Sequence, residues 1–201
     1  LGHDGQPMQA AHVLAGTTWH TVNPDGTYSI ETPQGRLVGL KFRGLKHASY
    51  TVSVLTTEAD ISLAVTLGTY ELADSPKEIE LVVMEKSPGK SGAPSSYKES
   101  KRIPMTQDKN GQWSLEVPVA GGELIYEIAG VRENSKNTLV GTSASSFLHD
   151  EKNGYLSVLK SAATKATVSF DLSKLPASDK KASMNFTRTN TTPAQVASLH
   201  R

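Results

Sequence analysis

Six histidines stand in a chain of 201 residues that contains no cysteine, and His12, His20 and His47 all lie in its first part. Imidazoles on neighbouring strands could hold zinc or iron at a sheet surface. Such a site needs three or four convergent ligands, however, and neither His-x-His nor His-Glu-x-x-His spacing occurs. The three stay candidate metal ligands, with scattered edge histidines the plainer expectation and no cofactor expected. Without cysteine there is no disulfide, no thiolate nucleophile and no zinc–thiolate site.

Other chemistry-bearing motifs fail on their context. Gly89-Lys90-Ser91 ends as a phosphate-binding loop does, yet the first glycine of that motif would fall at Met84, and Gly92 and Pro94 stand where its helix must begin. Ser-x-x-Lys occurs at Ser95–Lys98 and Ser157–Lys160, but in extended chain residues three apart point to opposite faces. No Gly-x-Ser-x-Gly elbow and no glycosidase-like carboxylate pair is present, so no enzymatic activity is expected. Aromatic rings that stack on sugars offer an alternative function. Trp19 and Tyr97 are the candidate carbohydrate-binding residues, whereas Trp113 and Tyr126 lie in phase with aliphatic neighbours and read as core.

The elements that must carry these residues are strands. Asn23-Pro-Asp-Gly-Thr-Tyr-Ser-Ile-Glu-Thr-Pro33 is echoed by Asp108-Lys-Asn-Gly-Gln-Trp-Ser-Leu-Glu-Val-Pro118. Each copy joins a glycine turn to an aromatic-Ser-aliphatic-Glu run of period two, and a proline closes it. In the first part, strands are predicted at 11–14, 18–22 and 28–31, around Val38–Phe42 and Tyr50–Val54, and at Ile61–Leu67, the cleanest alternation in the chain. Leu72–Pro76 reads as a joint. In the second part, Ile79–Val83 is followed by Lys86–Arg102, rich in Ser, Pro, Gly and Lys and predicted to be a long mobile loop. Strands are then predicted at 103–105, 113–117, 124–128, 139–142, 146–148, 155–159 and 166–171. A further strand is placed at Met184–Phe186, and Thr192-Pro193 reads as the start of a helix.

The fold class predicted is therefore all-β: two consecutive antiparallel β-sandwich domains, 1–75 and 76–176, then a linker, a strand and a short C-terminal helix in 177–201. With 21 basic and 20 acidic side chains, spread evenly, the net charge is +1, which leaves no footprint for nucleic acid. No apolar run reaches the roughly 18 residues a membrane span takes. The chain begins at Leu1 without methionine, so a processed or excised fragment is expected. Asn185-Phe-Thr187 and Asn190-Thr-Thr192 fit the glycosylation pattern, read as accidental.

Gly2-His-Asp-Gly-Gln-Pro-Met-Gln-Ala-Ala-His-Val13, with Asp25–Ile30 after it, resembles the opening of carboxypeptidase-regulatory-like domains, which are transthyretin-like sandwiches. Ile103-Pro-Met105, Gly111–Val117 and Gly122–Gly130 resemble early-set immunoglobulin-like modules of the glycogen-binding type. Their order is similar to the N-terminal half of some bacterial extracytoplasmic thioredoxin-like thiol-disulfide oxidoreductases. The resemblance implies an extracytoplasmic, non-catalytic accessory region that meets a protein or envelope partner, or its own copies, through sheet edges. Polysaccharide binding is the alternative.

Overall fold

The computed structural model describes residues 1–57, 60–73, 76, 78–89, 96–131, 139–176 and 181–189. It is all-β, and among the described residues the only helical element is a short 3-10 turn at Leu172–Lys174. Among the described residues no helix is long and apolar enough to cross a membrane. The chain divides into two compact units, the first made of Leu1–Thr69 with the returning strand Ser183–Thr189, the second starting at Tyr70.

The first unit contains β1 (Ala11–Ala15), β2 (Thr18–Thr21), β3 (Leu37–Gly44), β4 (Tyr50–Leu55) and β5 (Asp60–Thr66). β2, β1, β3 and β4 form one antiparallel sheet in that order. Alternation decides its inner face: Val38, Leu40 and Phe42 stand opposite Val54, Val52 and Tyr50, and the face they make closes on Val65 and Leu67. Its second sheet has only two described strands, β5 and the closing strand of the unit.

In the second unit lie β6 (Glu80–Ser87), β7 (Ser96–Pro104), β8 (Thr106–Gln107), β9 (Trp113–Pro118), β10 (Glu123–Ala129), β11 (Ser146–Asp150), β12 (Gly154–Lys160) and β13 (Lys165–Phe170); the strand that returns to the first unit is β14 (Ser183–Thr189). A five-stranded sheet, β11-β12-β10-β6-β7, faces a three-stranded one, β13-β9-β8. Leu81, Tyr126 and Ile128 from the first meet Trp113, Val168 and Phe170 from the second in one core. Each such side chain, wholly buried, stabilises the fold by roughly 1.5–3 kcal/mol.

Three expectations change. Tyr28–Glu31 takes no position in any ladder. Lys86–Arg102 is not a long loop: β6 and β7 pair from Glu80↔Pro104 to Ser87↔Ser96, with a bulge at Val83/Met84. The middle of β7, Lys98–Arg102, is polar and exposed on both faces, as an edge strand that must resist pairing with other chains often is, and this hid its period. The strand predicted at 139–142 contracts to one bridge, Ile128↔Leu139. The helix predicted from Thr192 lies outside the described residues, as do Lys90–Ser95 and Asn190. The strand expected at Met184–Phe186 is present, and its partner is β5 of the first unit, with Met184 opposite Val65 and Phe186 opposite Leu63.

Candidate functional site

The histidines are dispersed by register. His12 stands opposite Thr21, while His20 stands opposite Val13, whose side chain is in the core, so the two imidazoles leave the sheet on opposite faces. His47, in the turn after β3, pairs instead with His3: its Nδ1 lies 2.8 Å from the Leu45 carbonyl, which only an N–H can satisfy. Its Nε2 therefore accepts, from the His3 amide at 3.3 Å and His3 Nδ1 at 3.0 Å. Burial pushes the His47 imidazole below its ordinary pKa, and burial, with Arg43 adding to it, does the same to His12. Among the described residues no group of three or more His, Asp or Glu is placed to hold a metal ion.

The two carbohydrate candidates lie in different units. Arg43 stacks its guanidinium 4.2 Å from the centre of the Trp19 ring, so that face is covered. Tyr97 is on β7, its ring against the cluster of Val82, Met84, Ala129 and Leu156. Its backbone is gripped by the turn after β11: Asp150 Oδ1 accepts from Tyr97 N at 3.2 Å and Asn153 Nδ2 donates to Tyr97 O at 2.7 Å. Because β11 and β7 are the two ends of the five-stranded sheet, this grip joins its edges and curls the sheet over the cluster. Tyr97 is thus a structural closure. Of the Ser-x-x-Lys pairs, Ser95 lies outside the described residues, and Ser157 is buried with its Oγ accepting from Gly141 N at 2.7 Å.

What the structure does assemble is a cleft of about 880 Å³ inside the first unit, between the inner face of the four-stranded sheet and β5. One wall is Val38, Leu40 and Val54, the other Ile61, Leu63 and Val65. Residues 28–32 run across it as a strap. Both ends of the strap are fixed. Upstream, the Asn23–Thr27 turn is closed by Asn23 N to Thr27 O at 2.9 Å and by Asp25 Oδ1, which accepts from the Thr27 amide and hydroxyl and is held below its ordinary pKa by them. Downstream, the buried Thr56 hydroxyl donates to Pro33 O at 2.6 Å and accepts from Arg36 N at 3.0 Å. Between the ends, Tyr28 sets its ring edge-on to Phe42 at 5.8 Å and donates its hydroxyl to Leu63 O at 3.2 Å; burial pushes its pKa up.

One flank of this sandwich is closed by Arg188 of β14, whose Nη2 donates to Leu55 O on β4 at 3.3 Å. The other flank is the outer edge of β5, which pairs with no other strand among the described residues. Sequence reasoning picked out Ile61–Leu67 for its alternation but had no means of seeing that its edge would stand open, since that depends on where the strap comes to rest. Tyr28 carried no signal beyond its phase with Ile30. Comparison with family models, curated proteins and solved structures finds no match for this chain.

Proposed function

We propose that this chain is a non-catalytic, extracytoplasmic accessory region whose first sandwich receives a protein partner in its cleft. The observation that carries the reading is a cleft walled by aliphatic side chains beside an unpaired strand edge. Half-buried aliphatic side chains beside unmade backbone hydrogen bonds are what a partner's burial and pairing would stabilise. The resemblance to the N-terminal half of thiol-disulfide oxidoreductases supports reading such a region as the presenting part of a larger extracytoplasmic protein. Two of the charged groups that line the cleft are engaged within the fold, Asp25 with Thr27 and Arg43 with the Trp19 ring.

The test is photocrosslinking with a benzoylphenylalanine at Ile30 on the strap, in whole cells of the source organism, with the same probe at exposed Glu116 on β9 as control. A discrete protein adduct from position 30 and none from 116 is expected. Adducts from 116 alone, or turnover of a chromogenic ester or glycoside panel, would overturn the reading. Polysaccharide binding lost in Trp19→Ala would replace it with the carbohydrate-binding alternative.

A further inference from the structure

We infer that the occupant of the cleft is an extended peptide segment of a partner protein, added as a strand to the outer edge of β5, with alternate aliphatic residues facing inward and basic residues at its ends. This rests on the reading of the cleft as a partner site and names what enters it.

Among the described residues β5 bonds to a strand, β14, along one side only, and in an antiparallel ladder alternate residues turn both N–H and C=O away from the partner. The outward set is identified by its contacts: Leu63 O accepts from the Tyr28 hydroxyl, and Val65 O accepts from the nitrogen of Leu1 at 2.8 Å. Ile61, Leu63 and Val65 thus present their backbone groups to the open edge, and the same three residues line the cleft. A strand laid there makes hydrogen bonds and buries side chains in one step.

The edge already takes a backbone. Leu1 gives its nitrogen to Val65 O and accepts from Leu67 N at 2.9 Å, the two-bond pattern of a parallel bridge. Beyond it, towards Ile61, the place is held among the described residues only by the Tyr28 hydroxyl, a side-chain cap on one carbonyl. Charge sets the flanks of the occupant. Exposed carboxylates of Asp25, Glu31 and Asp60 line the cleft, while the cation Arg43 is stacked on Trp19. Lysine or arginine at the ends of the segment complements that rim.

The experiment uses the whole 201-residue chain and a synthetic heptapeptide, Lys-Val-Thr-Val-Thr-Val-Lys, followed by amide shifts and hydrogen exchange. Three controls accompany it: a scrambled peptide of the same composition, a peptide N-methylated on the valines, and one with both lysines replaced by glutamate. Slowed exchange at Ile61 and Leu63 is expected with the first peptide, and binding at least about 10-fold weaker with the N-methylated and scrambled forms. The glutamate form should bind several-fold more weakly. Tyr28→Phe, which keeps the ring and frees Leu63 O, should tighten binding roughly 3- to 10-fold, the worth of one net hydrogen bond. Equal binding of the scrambled and N-methylated peptides, with side-chain shifts in the cleft and no slowed amides, would sink the added strand while leaving the cleft as a partner site. No shift at any cleft residue, together with crosslinks only from position 116, would sink both.

Discussion

The chain solves the same local problem twice and finishes it only once. In Asn23–Pro33 and Asp108–Pro118 the turns share their backbone bonds. Asn23 N to Thr27 O matches Asp108 N to Gln112 O, both 2.9 Å, and Gly26 N to Asn23 O matches Gly111 N to Asp108 O. Gly26 and Gly111 take φ of 86° and 82°. Past the turn they part. Trp-Ser-Leu-Glu-Val becomes β9, laddered to β13 and β8 with Trp113 opposite Phe170, whereas Tyr-Ser-Ile-Glu-Thr stays a strap over a cleft. Local sequence set the turn, and the neighbouring sheet decided whether the run beyond it became a strand.

The largest expected effect separates the aromatic anchors. Trp113→Ala empties a wholly closed core and should cost about 3–5 kcal/mol, whereas Tyr28→Ala widens a cleft that is already open and should cost well under half of that. The chain's two tryptophans fall one in each unit, so Trp19 fluorescence in a Trp113→Phe background reads Tyr28→Ala in urea, while Trp113→Ala, which removes the second unit's own reporter, is read from that unit's resolved amide signals. Equal costs would mean that the strap is as well packed as β9. The background change Trp113→Phe should itself be mild, because the buried indole N–H has no hydrogen-bond partner to lose among the described residues.

A smaller and equal effect is expected at the shared turn. Gly26→Ala and Gly111→Ala each force a side chain into left-handed backbone, at roughly 1–2 kcal/mol, with a little more at Gly26, where the new Cβ would meet Leu1 at 3.3 Å. A marked difference between the two costs would show that the turns only look alike.

Acid should distinguish the units more gently. His47 and His12 are both held below their ordinary pKa of 6.5 by burial in the first unit. A base whose folded pKa is depressed binds its proton more readily when unfolded, so the stabilisation is full above about pH 6.5 and is lost as pH falls through the folded value. The Trp19-reported transition should therefore weaken between pH 7 and 5, and His47→Asn should flatten part of that slope. Acid sensitivity unchanged by substitution at either histidine would remove them as its cause.

The comparison also marks how far the sequence could be read. All-β class, most strands and the core roles of Trp113 and Tyr126 follow from period-two patterning, which is a local property. The β6–β7 hairpin was hidden because Ser96–Pro104 is an edge strand whose solvated middle carries no alternation. The candidate site was hidden for a different reason: Ile61, Leu63 and Val65 look like any buried strand in sequence, and only the resting place of Tyr28–Thr32 leaves their edge open. The partner of Met184–Phe186 was equally out of reach, since β14 pairs with β5 across more than a hundred residues of chain.

The central claim is that the first copy of the repeated run stands unpaired and leaves the β5 edge open. Residue-resolved amide hydrogen exchange of the free protein tests it most directly. Exchange at Ser29–Thr32 and at the outward amides of Ile61 and Leu63 should be fast, and slow at the β9 amides that face β13. Protection of Ser29–Thr32 and Leu63 as strong as that of β9 would mean that the strap is itself the missing strand, and the cleft would have no place for a partner.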